Sequence, residues 1–177
     1  MTIFKNRIIR AAKLDVHLYE EVEADKDAMG QAVGVVILSS IAAGIGSIAI
    51  GGIGGIIIGT LSALIGWYIW AYLTYFIGTK VLPEPQTRAD HAELLRTIGF
   101  SSSPGLIRVL GIIPGLAGVV FFVASIWMLV AMVIAVRQAL DYKSTLRAVG
   151  VCAIGWIIQA VIFALVFAII GGPAKPV

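Results

Sequence analysis

Apolar positions in this chain do not alternate with polar ones; they run. No charged residue occurs from Ala28 to Thr79, from Val109 to Val136, or from Ala148 to Ala174. Charge is gathered into residues 5–27, 80–108 and 137–147, with Lys175 near the end. At ~1.5 Å per residue the first run would make a rod of roughly 78 Å, against a hydrocarbon core of ~30 Å, so it must fold back. Its middle reads IAIGGIGGIIIGT (48–60), with five glycines and no charge. Glycine permits positive φ and close helix approach. The stretch therefore predicts a tight hairpin between spans at about 31–50 and 56–79. A phosphate-cradling loop would need a nearby Lys with Ser or Thr after a strand, and a flexible linker would carry serine and charge rather than isoleucine.

The other two runs predict one span each, at about 116–138 and 146–170. Between them and the hairpin lies SSSPGLIRVLGIIPG (101–115), bounded by Pro104 and Pro114. Its ten or so helical residues would measure roughly 15 Å, too short to cross alone. Cationic residues arbitrate. Lys5, Arg7, Arg10, Lys13 and Lys26 precede the first span; Lys80, Arg88 and Arg96 follow the second; Arg137, Lys143 and Arg147 precede the last. If 102–114 goes in, turns at Pro114-Gly115 and returns as a long helix, all three clusters share one side, the cytoplasmic one. Only Lys175 is then left opposite. The expected fold is an all-α polytopic membrane bundle of about five transmembrane segments, the third short or broken, or continued by the amphipathic turn around His91–Phe100. Residues 1–27 form a cytoplasmic or interfacial segment, 28–172 the transmembrane domain and 173–177 a tail.

Composition agrees. Of 177 residues 59% are hydrophobic and 13% charged, with mean hydropathy +0.99; a soluble domain carries about 25% charged residues. The net charge of +3 comes without a basic stripe, so it implies cytoplasmic loops facing anionic lipid and no nucleic acid. Charge in residues 5–27 argues against a signal peptide. Cys152, the single cysteine, sits in an apolar run as a packing residue.

Among the polar segments, 2–24 suits either a surface helix with Lys5, Arg7, Arg10 and Lys13 near lipid phosphates or a solvated arm. Asp25 can cap the helix that becomes the first span. In LPEPQTRADHAELLRTIGF (82–100), the prolines impose an extended start. The remainder predicts an amphipathic helix with Leu94, Leu95, Ile98 and Phe100 toward the bilayer. Tryptophans and tyrosines in the spans read as anchors and core filling.

Candidate chemistry is sparse. Both histidines, His17 and His91, lie in polar segments. Asp90-His91-x-Glu93 is a weak metal constellation, and no G-x-S-x-G accompanies a membrane serine. The reading is a non-enzyme with no catalytic residue, metal or cofactor. Small residues recur every fourth position at Ser39, Ala43, Ser47, Gly51, Gly55, Gly59 and Ala63, a spacing for helix packing, first between the two hairpin spans and second in a dimer. Polar groups inside a membrane are costly unless paired. Arg108 snorkels to the interface, pairs with an acid, or binds a lipid phosphate; Gln159 suits an interhelical hydrogen bond; Arg137 is one turn from Asp141. With Arg96, these are the candidate lipid- or partner-binding residues. No carboxylate sits inside a span, which weakens proton-coupled transport.

The stretches LLRTIGFSSSPGLI (94–107), Trp127 with VIAVRQAL (133–140), STLRAV (144–149) and LYEEVEADKDAMGQAV (18–33) resemble the prokaryotic branch of the Yip family, named for interaction with Ypt/Rab GTPases. The resemblance runs from about residue 10 to 170 and implies a five-span membrane protein with a cytoplasmic N-terminus. Eukaryotic relatives associate with prenylated Rab GTPases in vesicle traffic and membrane shaping. Their long cytoplasmic N-terminal region has no counterpart here, so small-GTPase contact is not supported by this sequence. The expectation is a non-enzymatic scaffold or accessory subunit of the prokaryotic cytoplasmic membrane, whose partners are lipids, other membrane subunits or a second copy. The alternative is a transporter or channel component using the broken segment.

Overall fold

A computed structural model describes residues 3–170, except the side chains of Phe163 and residues 166–170; the expected tail at 173–177 lies outside the described residues. Helices α1 (Ile3–Ala12) and α2 (Val16–Ala24) precede a 3₁₀ turn at Lys26–Ala28. Then come α3 (Met29–Gly46), α4 (Ile48–Phe76) with a π turn at Ile77–Val81, and α5 (His91–Ser101) with a 3₁₀ segment at Ser103–Ile112. Helices α6 (Ala117–Ala139) and α7 (Thr145–Ile170) complete the bundle. The described residues hold no strand, and four helices, α3, α4 with its π turn, α6 and α7, are long and apolar enough to cross a membrane.

The long neutral tract doubles back where α3 stops. Ser47 leaves helical geometry (φ −114°, ψ 17°), and after one turn Gly52 takes φ +57° and ψ −167°. Of the five glycines, Gly52 alone occupies the left-handed region that needs one. Helix α4 then returns beside α3, and Ser40 Oγ donates to Thr60 Oγ1 at 3.1 Å between them. Its outer side chains, among them Ile53, Ile57, Leu61 and Ile65, remain exposed, as suits a helix facing lipid on most sides.

The third segment is longer than its proline boundaries suggest, because α5 feeds directly into the 3₁₀ segment. Pro104 near the start of that segment cannot donate and crowds the preceding turn, so the α-helix gives way to tighter winding. The 11 residues of α5 and 10 of the 3₁₀ segment extend together for roughly 36 Å if collinear. The pair runs parallel to α3: Gly99 meets Ala32, Gly105 meets Ser39 and Gly111 meets Gly46. At Pro114-Gly115 the chain reverses, with Gly115 at φ +83° and Leu116 N donating to Ile113 O at 3.1 Å. That is the residue order of a type II turn. Helix α6 comes back with Phe121 near Gly46 and Gly111, and Met128 near Gly105.

One consequence is that the charged connections gather at one end. Tyr142, between α6 and α7, donates to Gly78 O (3.0 Å) and Leu82 O (2.7 Å), carbonyls at the π turn. Burial pushes its hydroxyl up to about 12, so it stays a donor. Arg147 donates to Pro83 O at 2.8 Å, and Gln138 to Glu20 at 2.8 Å.

Two expectations are corrected. Leu94, Leu95, Ile98 and Phe100 of α5 are buried in the protein rather than laid on the bilayer, because α5 is packed among α2, α3, α4 and α6. Of the basic residues named at 5–13, Arg7 and Arg10 meet acids rather than lipid phosphates. Arg7, 7% exposed, donates to Glu21 (2.8 Å), Asp25 (2.7 Å) and Gln31 (3.1 Å), and Arg10 to Asp15 (2.7 Å) and Glu21 (2.5 Å). Lys5 and Lys13 are exposed. Asp25 does cap the 3₁₀ turn, accepting from Asp27 N at 3.0 Å.

A Cβ at Gly46 would lie 2.0 Å from Arg108 O, whereas one at Gly59 meets nothing within 4 Å. Gly46→Ala should therefore lose on the order of 1–3 kcal/mol through overpacking, and Gly59→Ala should be neutral or gain up to about 1 kcal/mol from helix propensity. Thermal unfolding of the purified protein in detergent checks the pair; equal melting temperatures would refute the close packing.

Candidate functional site

Inside the bundle, a cavity of about 320 Å³ opens between α3, α4, α5, α6 and α7. Trp67, Trp70, Trp156, Met128 and Met132 supply large and deformable walls. Ser39, Ser40, Ser101, Ser102, Arg108 and Gln159 supply the polar groups. A largely apolar chamber with a few convergent polar groups is the usual form of a small-ligand site.

The 3₁₀ segment positions Arg108 and α3 holds it. Arg108 Nε donates to Gly105 O at 3.0 Å, and Nη2 donates to Ser39 O at 3.1 Å and Ser39 Oγ at 2.8 Å. Ser39 is ten residues into α3, about 15 Å from its start, so the guanidinium sits near mid-depth rather than at either end. No carboxylate lies within ion-pair distance of it among the described residues. Five N–H donors in a planar fork match phosphate and carboxylate, and here Nη1 has no bonded partner among the described residues. Arg108 also borders a second cavity of about 230 Å³, toward the Gly52 bend, with Ala43, Ser47, Gly55, Gly59 and Ala63.

The other sequence candidates separate. Gln159 faces the main cavity from α7 without a hydrogen bond to the described residues. Arg96 is 4% exposed and donates to Val22 O at 2.9 Å and to Glu23 O, a cation closing the C-terminus of α2. Arg137 donates to Tyr142 O (3.2 Å) and Lys143 O (3.4 Å), turn carbonyls rather than Asp141. The small-residue row is divided: Ser39 is buried against Arg108, while a Cβ at Gly51, Gly55 or Gly59 meets nothing within 4 Å. Close backbone approach belongs instead to Gly44, Gly46, Gly99 and Gly111, while Gly105 seats the side chains of Ser39, Arg108 and Met128. Asp90 and Glu93 are engaged in a capping box on α5, and His91 is ringed by Tyr68, Tyr72 and Tyr75.

Sequence reasoning read Trp67 and Trp70 as anchors and core filling rather than cavity walls, and did not single out Trp156. A usable signal was present: Trp67 and Trp70 share a helix face at three-residue spacing, as do Trp156 and Gln159. Trp67 Nε1 donates to Leu95 O at 3.0 Å and Trp70 Nε1 points at Met132 Sδ at 3.1 Å, so both rings are fixed.

At the charged end a third cavity, about 600 Å³, is bordered by Glu20, Glu23, Glu93 and Asp141, with Arg137 and Lys143. Burial, then the charges of Asp141 and Glu93, push Glu23 from 4.5 up to about 7.

A family model described as Yip1 domain matches residues 19–170. Neither a curated protein nor a solved structure matches the chain. The matched region contains the whole Arg108 cavity.

Glu23 generates a prediction. Its folded-state value lies above its ordinary one, so between about pH 4.5 and 7 the folded protein holds a proton that the unfolded chain has released. Its contribution is fully present below about 4.5 and is lost as pH rises through about 7. Asp15, Glu21 and Asp25, held low by Arg10 and Arg7, act in the opposite sense below that window. Melting temperature should fall between pH 5 and 7.5, and Glu23→Gln should flatten that slope; an unchanged slope in the variant counts against it.

Proposed function

Because the chain belongs to the Yip1 domain family, we propose that this integral membrane protein is a non-enzymatic scaffold or accessory subunit that holds an anionic membrane component at Arg108. The observation carrying this reading is a fixed guanidinium at mid-depth, bonded to Ser39 and Gly105 and facing a chamber, with no acid at ion-pair distance among the described residues. A charge in that setting is costly alone, and a partner's phosphate or carboxylate would offset the cost through charge-assisted, bidentate contacts. The arrangement supplies binding geometry, and among the described residues lining the chamber no nucleophile is paired with a base.

Five crossings follow from the same reading, the broken segment being the third, within a transmembrane domain at 28–172. Lys and Arg at the ends of α4 and α6 gather with residues 1–27 on one side, which the positive-inside rule makes cytoplasmic, here in a prokaryotic cytoplasmic membrane. Lipid is the partner this site favours; other membrane subunits or a second copy are served by the exposed apolar faces of α4 and α7. A second reading, a transporter or channel component, is favoured by Arg108 standing between two cavities at a helix break.

Native mass spectrometry after gentle detergent extraction tests the primary reading. The wild-type chain should carry an anionic lipid or partner, Arg108→Gln should lose it by about tenfold, and Arg108→Lys should keep part of it. A bare chain in wild type, or equal retention in Arg108→Gln, would overturn it. Solute flux in liposomes that is abolished by Arg108→Gln would establish the transport reading instead.

A further inference from the structure

The Arg108 chamber is not closed toward the bilayer. On the side of α4 and α7 it adjoins a cleft of about 340 Å³, and Gly66, Trp70 and Gln159 border both spaces. Near the cleft the two helices touch where Trp70 packs on Gly155 and stands 6.4 Å from Trp156, ring centre to ring centre. Ser62, Ile65, Ile69 and Leu73 line the α4 wall, and Ile162 the α7 wall. Ile65 (62%), Ile69 (57%) and Ile162 (50%) are exposed at its rim, facing where lipid chains would lie. The sequence passes from aliphatic at the rim, through Trp70 and Gln159, to serine and arginine inside.

We propose that this gradient is a lateral entry for one anionic phospholipid, whose phosphate meets Arg108 while an acyl chain lies in the α4–α7 cleft. The inference rests on the reading of Arg108 as an anion site and adds the occupant and its route. Charge complementarity selects the head group: among the described residues the guanidinium has no acid at ion-pair distance and its Nη1 no bonded partner, and Nη1 and the Gln159 amide offer N–H donors to phosphate oxygens. Apolar continuity selects the rest of the molecule. A soluble phosphate would have no use for the isoleucine-lined approach, whereas a lipid chain leaves water-free surroundings at no cost and enters equivalent ones. The tight seat of Gly105 against Ser39, Arg108 and Met128 keeps the cation at the inner end of this path. Gly66 holds it open: a Cβ there meets nothing within 4 Å, so a larger side chain is accepted by the fold and occupies the passage.

The test uses the purified full chain in lipid nanodiscs and reads its tryptophans, three of which line the chamber. Phosphatidylglycerol with brominated acyl chains and, separately, brominated phosphatidylcholine are each titrated into an unlabelled phosphatidylcholine background, and quenching reports how far each lies beside the rings. Wild type should prefer the anionic lipid by about tenfold, the factor a charge-assisted contact supplies. Arg108→Gln should abolish the preference and Arg108→Lys retain part of it. Gly66→Leu, with an unchanged melting temperature, should lose quenching by phosphatidylglycerol to the level of phosphatidylcholine. Equal quenching by the two lipids in wild type, or a preference surviving Arg108→Gln, overturns the proposal. Displacement of the lipid by excess inorganic phosphate overturns it too, by making the occupant a soluble anion. A preference lost in Arg108→Gln but kept in Gly66→Leu leaves the anion site standing and removes the lateral route.

Discussion

In hydrocarbon, a broken helix exposes backbone N–H and C=O groups that no water can satisfy, at a cost of several kcal/mol each. The third segment of this bundle meets that constraint by leaning on α3 along its whole length. Gly99, Gly105 and Gly111 bring its backbone against Ala32, Ser39 and Gly46, and Arg108 caps the carbonyls of both Gly105 and Ser39. Remove the small residues and the two segments separate; remove the arginine and two carbonyls lose a donor. The site and the scaffold therefore share a residue.

Elsewhere the same problem is handled by long polar side chains reaching in from the charged end. Tyr142 meets the π-turn carbonyls of α4, and Arg96 meets the last carbonyls of α2. Trp127 Nε1 donates to Ala12 O at 2.8 Å, tying α1 to the middle of α6. Arg7, buried among Glu21, Asp25 and Gln31, locks α1 onto α2. Arg7 has carboxylates beside it, whereas Arg96 and Arg108 are both held by backbone carbonyls without an acid at ion-pair distance among the described residues. What sets Arg108 apart is the chamber it borders.

That contrast gives the membrane scaffold reading its physical content. A helical bundle in lipid gains little from apolar contact between its helices, since lipid tails are equally apolar. A polar group left unpaired at mid-depth is thus a larger driving force for partner recognition than the exposed isoleucines around it. The chamber, its tryptophan walls and the opening between α4 and α7 stand around that group.

Much of this was legible in the linear chain. A neutral tract longer than the bilayer is thick must reverse, and glycine at its centre allows the turn; Gly52 is where it happens. Pro114-Gly115 specified its turn for the same local reason, and the Yip1 domain match bears out the family resemblance. Arg108 was recognisable because charge inside an apolar region needs a reason. What could not be read were the consequences of nonlocal packing. Gly105 and Gly46 look no different from Gly55 and Gly59 until α3 and the 3₁₀ segment are laid side by side. Leu94 and Phe100 have the spacing of a lipid-facing stripe, and only the crowd of helices around α5 turns them inward. The chain by itself determined where the long apolar runs lie and where they bend, since those depend on length and local stereochemistry. Tertiary structure alone decided which small residues touch and which cation borders the chamber, because both are properties of neighbours distant in sequence.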